Sequence, residues 1–90
     1  MEQFDNITVA QVDDMKHAVG FRYDRVRNGQ YNAFRNFFAI DEEQVSWEDL
    51  VNRHLATKRK QFNETVYHLT DRGFLFLSLV LNVEIIKPEE

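Results

Sequence analysis

From Ser46 to Leu81 the chain switches repeatedly between helical and extended hydrophobic periods: SWEDLVNRHLATKRKQFNETVYHLTDRGFLFLSLVL. Trp47, Leu50, Val51 and Leu55 fall at the spacing of one helix face, with Ser46 as the expected cap. Ala56 to Gln61 loses that period and carries Lys58, Arg59 and Lys60 in succession. Phe62-Asn63-Glu64 reads as a reversal. Val66-Tyr67-His68-Leu69 is a β-branched and aromatic run, with Tyr67 and Leu69 expected to point inward. Thr70 or Asp71 then caps a last helix that tolerates Gly73 in its first turn and is apolar almost all round from Phe74 to Leu81. The stretch reads as helix, basic strand, turn, strand, helix.

Upstream, Thr8-Val9-Ala10-Gln11 forms a capping box, and Val9, Val12, Met15 and Val19 recur at helical spacing. Gly20 is a left-handed stop, so the first helix is expected over 8–19. Asn28-Gly29 signals a turn after an aromatic-basic connector holding Arg22, Tyr23, Arg25 and Arg27. Tyr31, Phe34 and Phe38 then predict an aromatic helix face over 30–39, and Asp41-Glu42-Glu43 a turn. Asn82 ends the last helix, and Val83 to Ile86 fits a short strand. The expectation is one α+β domain over 1–90, mostly helical, with loose tails at 1–7 and 87–90. It has three N-terminal helices, a two-stranded hairpin and an apolar C-terminal helix.

At 90 residues, 43% of them apolar, the chain has enough material for one core. With no cysteine, disulfides and thiolate chemistry are excluded, and a reducing, cytoplasmic setting is expected. The net charge of −4 is laid out in blocks. Arg22, Arg25, Arg27 and Arg35 share a segment with Asp24; Asp41, Glu42, Glu43, Glu48 and Asp49 follow; then come Arg53 and the three bases of the ribbon. Such blocks are commonly solvated faces, yet they also give a small domain a dipolar surface suited to a charged partner.

Catalytic signals are absent: the chain has no glycine-rich phosphate loop, nucleophile elbow or paired-carboxylate motif, so neither an enzyme nor a cofactor is expected. Asp13 and His17 have ligand spacing but lack a third ligand, so no metal is expected. The mixture at Phe21 to Arg27 suits phosphate contact or base stacking, against the plainer reading that its rings plug the core.

Leu50-Val51, Leu55 to Arg59 and Tyr67-His68-Leu69-Thr70-Asp71-Arg72-Gly73 resemble the third helix, wing and following helix of winged helix-turn-helix domains. Lys16 to Gly20, Arg35-Asn36-Phe37-Phe38 and Trp47 to Val51 look like a group of small proteins encoded by bacteriophages and prophages. The first resemblance implies double-stranded DNA as partner, bound by a regulator through Lys58, Arg59, Lys60 and Arg72, with Arg22, Arg25 and Arg27 in support. In that family the third helix exposes basic or polar side chains, whereas here Glu48 and Asp49 open it and would repel phosphates.

The second resemblance implies an alternative. A phage-encoded protein would present Asp41, Glu42, Glu43, Glu48 and Asp49 to a host protein, such as a defence-system component, and inhibit it. Either way, the surplus apolar surface of the last helix predicts a homodimer through Phe74, Leu77 or Leu81.

Overall fold

A computed structural model describes residues 6–88 of the chain. The elements are α1 (Val9–Val19), a 3₁₀ turn (Tyr23–Arg25), β1 (Gln30–Asn32), β2 (Phe38–Ile40), α2 (Val45–Asn52), β3 (Ala56–Gln61), β4 (Glu64–Leu69), α3 (Asp71–Leu81) and β5 (Glu84–Ile86). The strands form two sheets: antiparallel β2-β4-β3 and a parallel β1-β5 pair.

The first helix forms as its ends prescribe. Thr8 Oγ1 accepts from Gln11 N at 3.0 Å, and Gln11 Oε1 accepts from Thr8 N at 2.9 Å. Gly20 closes the helix at φ +66°. Gln11, buried, also donates to Ser46 O at 3.0 Å and to Asp49 Oδ2 at 2.8 Å, tying α1 to α2.

The expected winged-helix architecture is not what forms. The order is α-β-β-α-β-β-α-β, with 40% helix and 27% strand, in place of a mostly helical chain with three N-terminal helices and a wing. The error lies in 30–39, where the aromatic spacing predicted a helix. Tyr31 instead pairs in parallel with Ile85, and Phe38 stands opposite Tyr67 in the antiparallel sheet. Both partners lie far along the chain, so local periodicity carried no trace of them. Tertiary pairing overrides a weak local pattern over such short elements.

The hairpin itself is present: Ala56 pairs with Leu69 and Gln61 with Glu64, with Phe62-Asn63 as the reversal. Tyr67 and Leu69 are buried as expected, and Val66, on the opposite face, is buried too. Two caps differ from expectation. Gln44, with no side-chain bond, caps α2, while Ser46 Oγ lies in its first turn and donates to Asp14 at 3.2 Å. Thr70 Oγ1 caps α3 by accepting from Gly73 N at 3.1 Å. Gly73 is required there, because a Cβ would collide with the Leu55 carbonyl oxygen.

Most of the buried apolar residues form one cluster drawn from all three helices and both sheets. An aromatic ladder runs through it from His17 to Phe38 (5.6 Å), Trp47 (5.3 Å) and Tyr67 (5.1 Å). Of the expected tails, residues 1–5 and 89–90 lie outside the described residues. Ile7 packs against the core. Among the described residues no helix is long and apolar enough to cross a membrane.

Candidate functional site

The hairpin bases do not act together. Alternation along β3 puts Lys58 and Lys60 on the face shared with Tyr67 and Thr65, and puts Arg59 on the other face beside Val66. Lys58 Nζ lies 2.8 Å from Glu43 and 2.8 Å from Glu48, and Lys60 Nζ donates to Thr65 Oγ1 at 2.8 Å. Lys58 is therefore neutralised by two members of the acidic block, and Lys60 Nζ lies 3.8 Å from Glu43. Hydrogen bonding from Lys58, then from the Tyr67 hydroxyl, holds the Glu48 carboxyl below its ordinary range. The two carboxylates raise the Lys58 pKa in turn. Burial, then the Glu48 hydrogen bond, pushes the Tyr67 hydroxyl up to about 12.

Asp49 is similarly occupied. It accepts from Gln11 and from Arg53 Nε at 2.8 Å, and its pKa falls chiefly through the Gln11 bond. Asp41 and Glu42 stay exposed in the loop before α2. The acidic residues that sequence grouped as one partner face are thus divided between internal pairs and a loop. β3 is also an edge strand, and consecutive Lys-Arg-Lys there blocks pairing with another chain, a structural reason for the basic run.

A different surface brings bases and exposed aromatics together. The loop between β1 and β2 is pinned from both ends. Asn36 Nδ2 donates to Leu69 O at 3.0 Å, and Asn36 Oδ1 accepts from Leu69 N at 2.8 Å, so its amide extends the β2–β4 ladder beyond the start of β2. Phe37 N donates to Ala18 O, and Arg35 Nη2 donates to His17 O at 2.6 Å, at the carbonyl end of α1 where the helix dipole favours a cation. Held there, the Arg35 guanidinium sits 5.4 Å from the Phe34 ring centre and 5.8 Å from that of Phe37. Phe34 is 66% exposed and closes over Gly20, leaving no room for a side chain at that position.

Phe34 divides two grooves. One, of about 600 Å³, is lined by Asp24, Arg25, Arg27, Tyr31 and Asn32; the other, of about 380 Å³, by Lys16, His17, Arg22 and Arg35 among others. Phe37 continues the surface into a third groove of about 430 Å³, on the outer face of β2-β4-β3, with Arg59, His68 and Phe62. Six cations (Lys16, Arg22, Arg25, Arg27, Arg35 and Arg59) line these grooves against three carboxylates (Asp13, Asp24 and Glu64). On a chain of net charge −4 these grooves are thus lined by more cations than carboxylates.

Arg22 binds Asp24 through two bonds of 3.2 and 3.1 Å, and Arg27 Nη1 donates to the carbonyls of Asp24 and Val26, which fixes the connector's shape. Phe21 packs on Tyr31 and against the core, while Tyr23 lies exposed with Lys16 over its ring at 5.7 Å. Phe21 thus plugs the core, as the plainer reading of the mixture has it, while Tyr23 stays at the surface. Sequence reasoning counted Arg35 with the bases of its segment, but it placed Phe34 and Phe37 on a helix and so missed both rings as site residues. Their signal was the alternation of base and aromatic.

Arg72 is exposed on the first turn of α3, apart from these grooves. The expected dimer residues are mostly internal: Phe74 is buried, Leu77 is 0% exposed and Leu81 is half-buried. The exposed apolar residues of α3 are Leu75, Leu79 and Val80. No group of three or more metal-ligating side chains comes together among the described residues. No protein-family model, curated protein or solved structure matches the chain.

Proposed function

We propose that this protein binds nucleic acid, gripping phosphates with Arg22, Arg25, Arg27 and Arg35 instead of the hairpin lysines. The carrying observation is the Phe34–Arg35–Phe37 arrangement, a guanidinium held between two exposed rings and flanked by grooves rich in arginine. Arginine at such a site offers a planar fork to phosphate, and the rings offer stacking surface. On β3, Lys58 is held between Glu43 and Glu48, whose carboxylates would repel a polyanion. Duplex DNA, the partner expected of a regulator, is one such ligand.

The test is fluorescence anisotropy with labelled oligonucleotides across a salt series. Arg25→Ala with Arg27→Ala should weaken binding to every sequence and flatten the log–log salt slope by about 0.7–0.9 per lost phosphate contact. An unchanged slope in a folded double variant would remove these arginines from the interface.

A second reading rests on α3. Leu75, Leu79 and Val80 leave an apolar stripe in water, which suits a protein partner, whether a host protein to be inhibited or a second copy of the chain. Loss of association with that partner in Leu79→Glu, with nucleic-acid binding absent in the parent, would favour it.

A further inference from the structure

Phe62 is the most exposed large apolar residue described, at 95%, and it sits at the tip of the hairpin with φ +56°. A two-residue hairpin turn usually gives that left-handed position to glycine or asparagine, because a Cβ is strained there. A phenyl ring at this place serves neither packing nor turn geometry. Along the same face Val66 and His68 lie on the central strand β4, with Ala39 and Arg59 to either side of Val66 and Phe37 at the far end.

We infer that the ligand of this face is a single-stranded nucleic acid, laid across β2-β4-β3 with unpaired bases on Phe37 and Phe62 and a phosphate on Arg59. The inference rests on the nucleic-acid reading above and narrows it. A duplex hides the faces of its bases inside its own stack, so exposed rings separated along a sheet find little on it to stack against. A single strand offers those faces, and stacking tolerates any sequence because every base has one. The charge agrees: Arg59 meets only Glu64 among the carboxylates of this groove, and the surface runs on through Phe37 to Arg35. An aromatic anchor at each end and a cation between them form the pattern of a stacking platform.

The experiment compares labelled oligothymidylate with a duplex of the same length by anisotropy at low salt, using the full chain. The single strand should bind at least about tenfold tighter. Phe62→Ala and Phe37→Ala should each weaken it about 5- to 100-fold without changing the salt slope, and Phe62→Trp should restore it. Arg59→Ala should instead flatten the slope by about 0.7. Phe62→Gly separates function from folding: it should keep or raise the denaturant midpoint by relieving the turn, yet bind as weakly as Phe62→Ala. Equal affinity for both ligands, or a duplex affinity that falls as much in Phe62→Ala, would overturn the single-strand inference. The Arg25 and Arg27 result would then stand by itself. Absence of binding to either ligand would overturn both.

Discussion

Lys58 on β3 reaches across to Glu48 on α2 at 2.8 Å, and the same carboxylate accepts from the Tyr67 hydroxyl at 2.6 Å. One contact thus joins the basic block to the acidic one and seats both over the Trp47–Tyr67 stack. Members of two sequence blocks that looked like rival binding faces, Lys58 on one side and Glu43 and Glu48 on the other, are partners in a structural brace.

Removal of that brace should therefore show in folding and not in binding. In Lys58→Ala the Glu48 carboxyl should titrate closer to its ordinary value, read by NMR. The denaturant midpoint should fall slightly, with the difference shrinking in high salt. Nucleic-acid affinity and its salt slope should stay as in the parent. A flattened slope would return Lys58 to the interface.

Trp47 is fully enclosed, stacked on Tyr67 at an interplanar angle of 13° and flanked by Phe38. Trp47→Ala should cost about 3–5 kcal/mol by lost burial and the cavity left behind. Denaturant titration checks this, and a midpoint near that of the parent would contradict the ladder.

Stability should decline in two stages as pH falls. Burial, then Arg59, depresses the His68 pKa below its ordinary 6.5. The fold therefore resists a proton that the unfolded chain accepts, and stability begins to drop below that pH. Glu48 and Asp49 are depressed from 4.5 and 3.8, so their contribution is complete above those values and is lost as pH falls through the lower folded ones. Thermal melts across pH should show both stages, and His68→Gln should erase only the first. Stability unchanged from neutral pH down to about 5 would show that the His68 shift does not exist, and no further loss below about 4 would show the same of the carboxylates.

The two faces of α3 should answer differently to the same charge. Leu77→Glu places a carboxylate in the closed core and should cost at least about 3 kcal/mol or prevent folding. Leu79→Glu, at a position 63% exposed, should stay within about 0.5 kcal/mol of the parent. Urea midpoints for the pair check the helix orientation, and the reverse order would mean α3 is rotated.

Much of the fold is legible locally because its cause is local. The Thr8–Gln11 box, the Gly20 stop, the hairpin around Phe62-Asn63 and the Thr70 cap each depend on groups within a few residues. They appear where the local sequence places them. The elements that were misread have distant causes. Gln30–Asn32 is a strand because Glu84–Ile86 comes to lie beside it, and Phe38–Ile40 because β4 does. Taken by themselves, three residues with aromatic neighbours fit a helix as well. Sequence could likewise report how apolar α3 is but not which side faces out, since nearly every position qualifies. Only packing assigned Phe74 and Leu77 to the core and left Leu75, Leu79 and Val80 in water. The charges follow the same division. Their blocks are fixed by the order of residues, but whether they cancel depends on distances across the fold, because Coulomb attraction and hydrogen bonding act over a few ångströms. β3 swings Lys58 onto Glu43 and Glu48, while the β1–β2 loop sets Arg35 on the carbonyl end of α1, with no carboxylate among the described residues bonded to it.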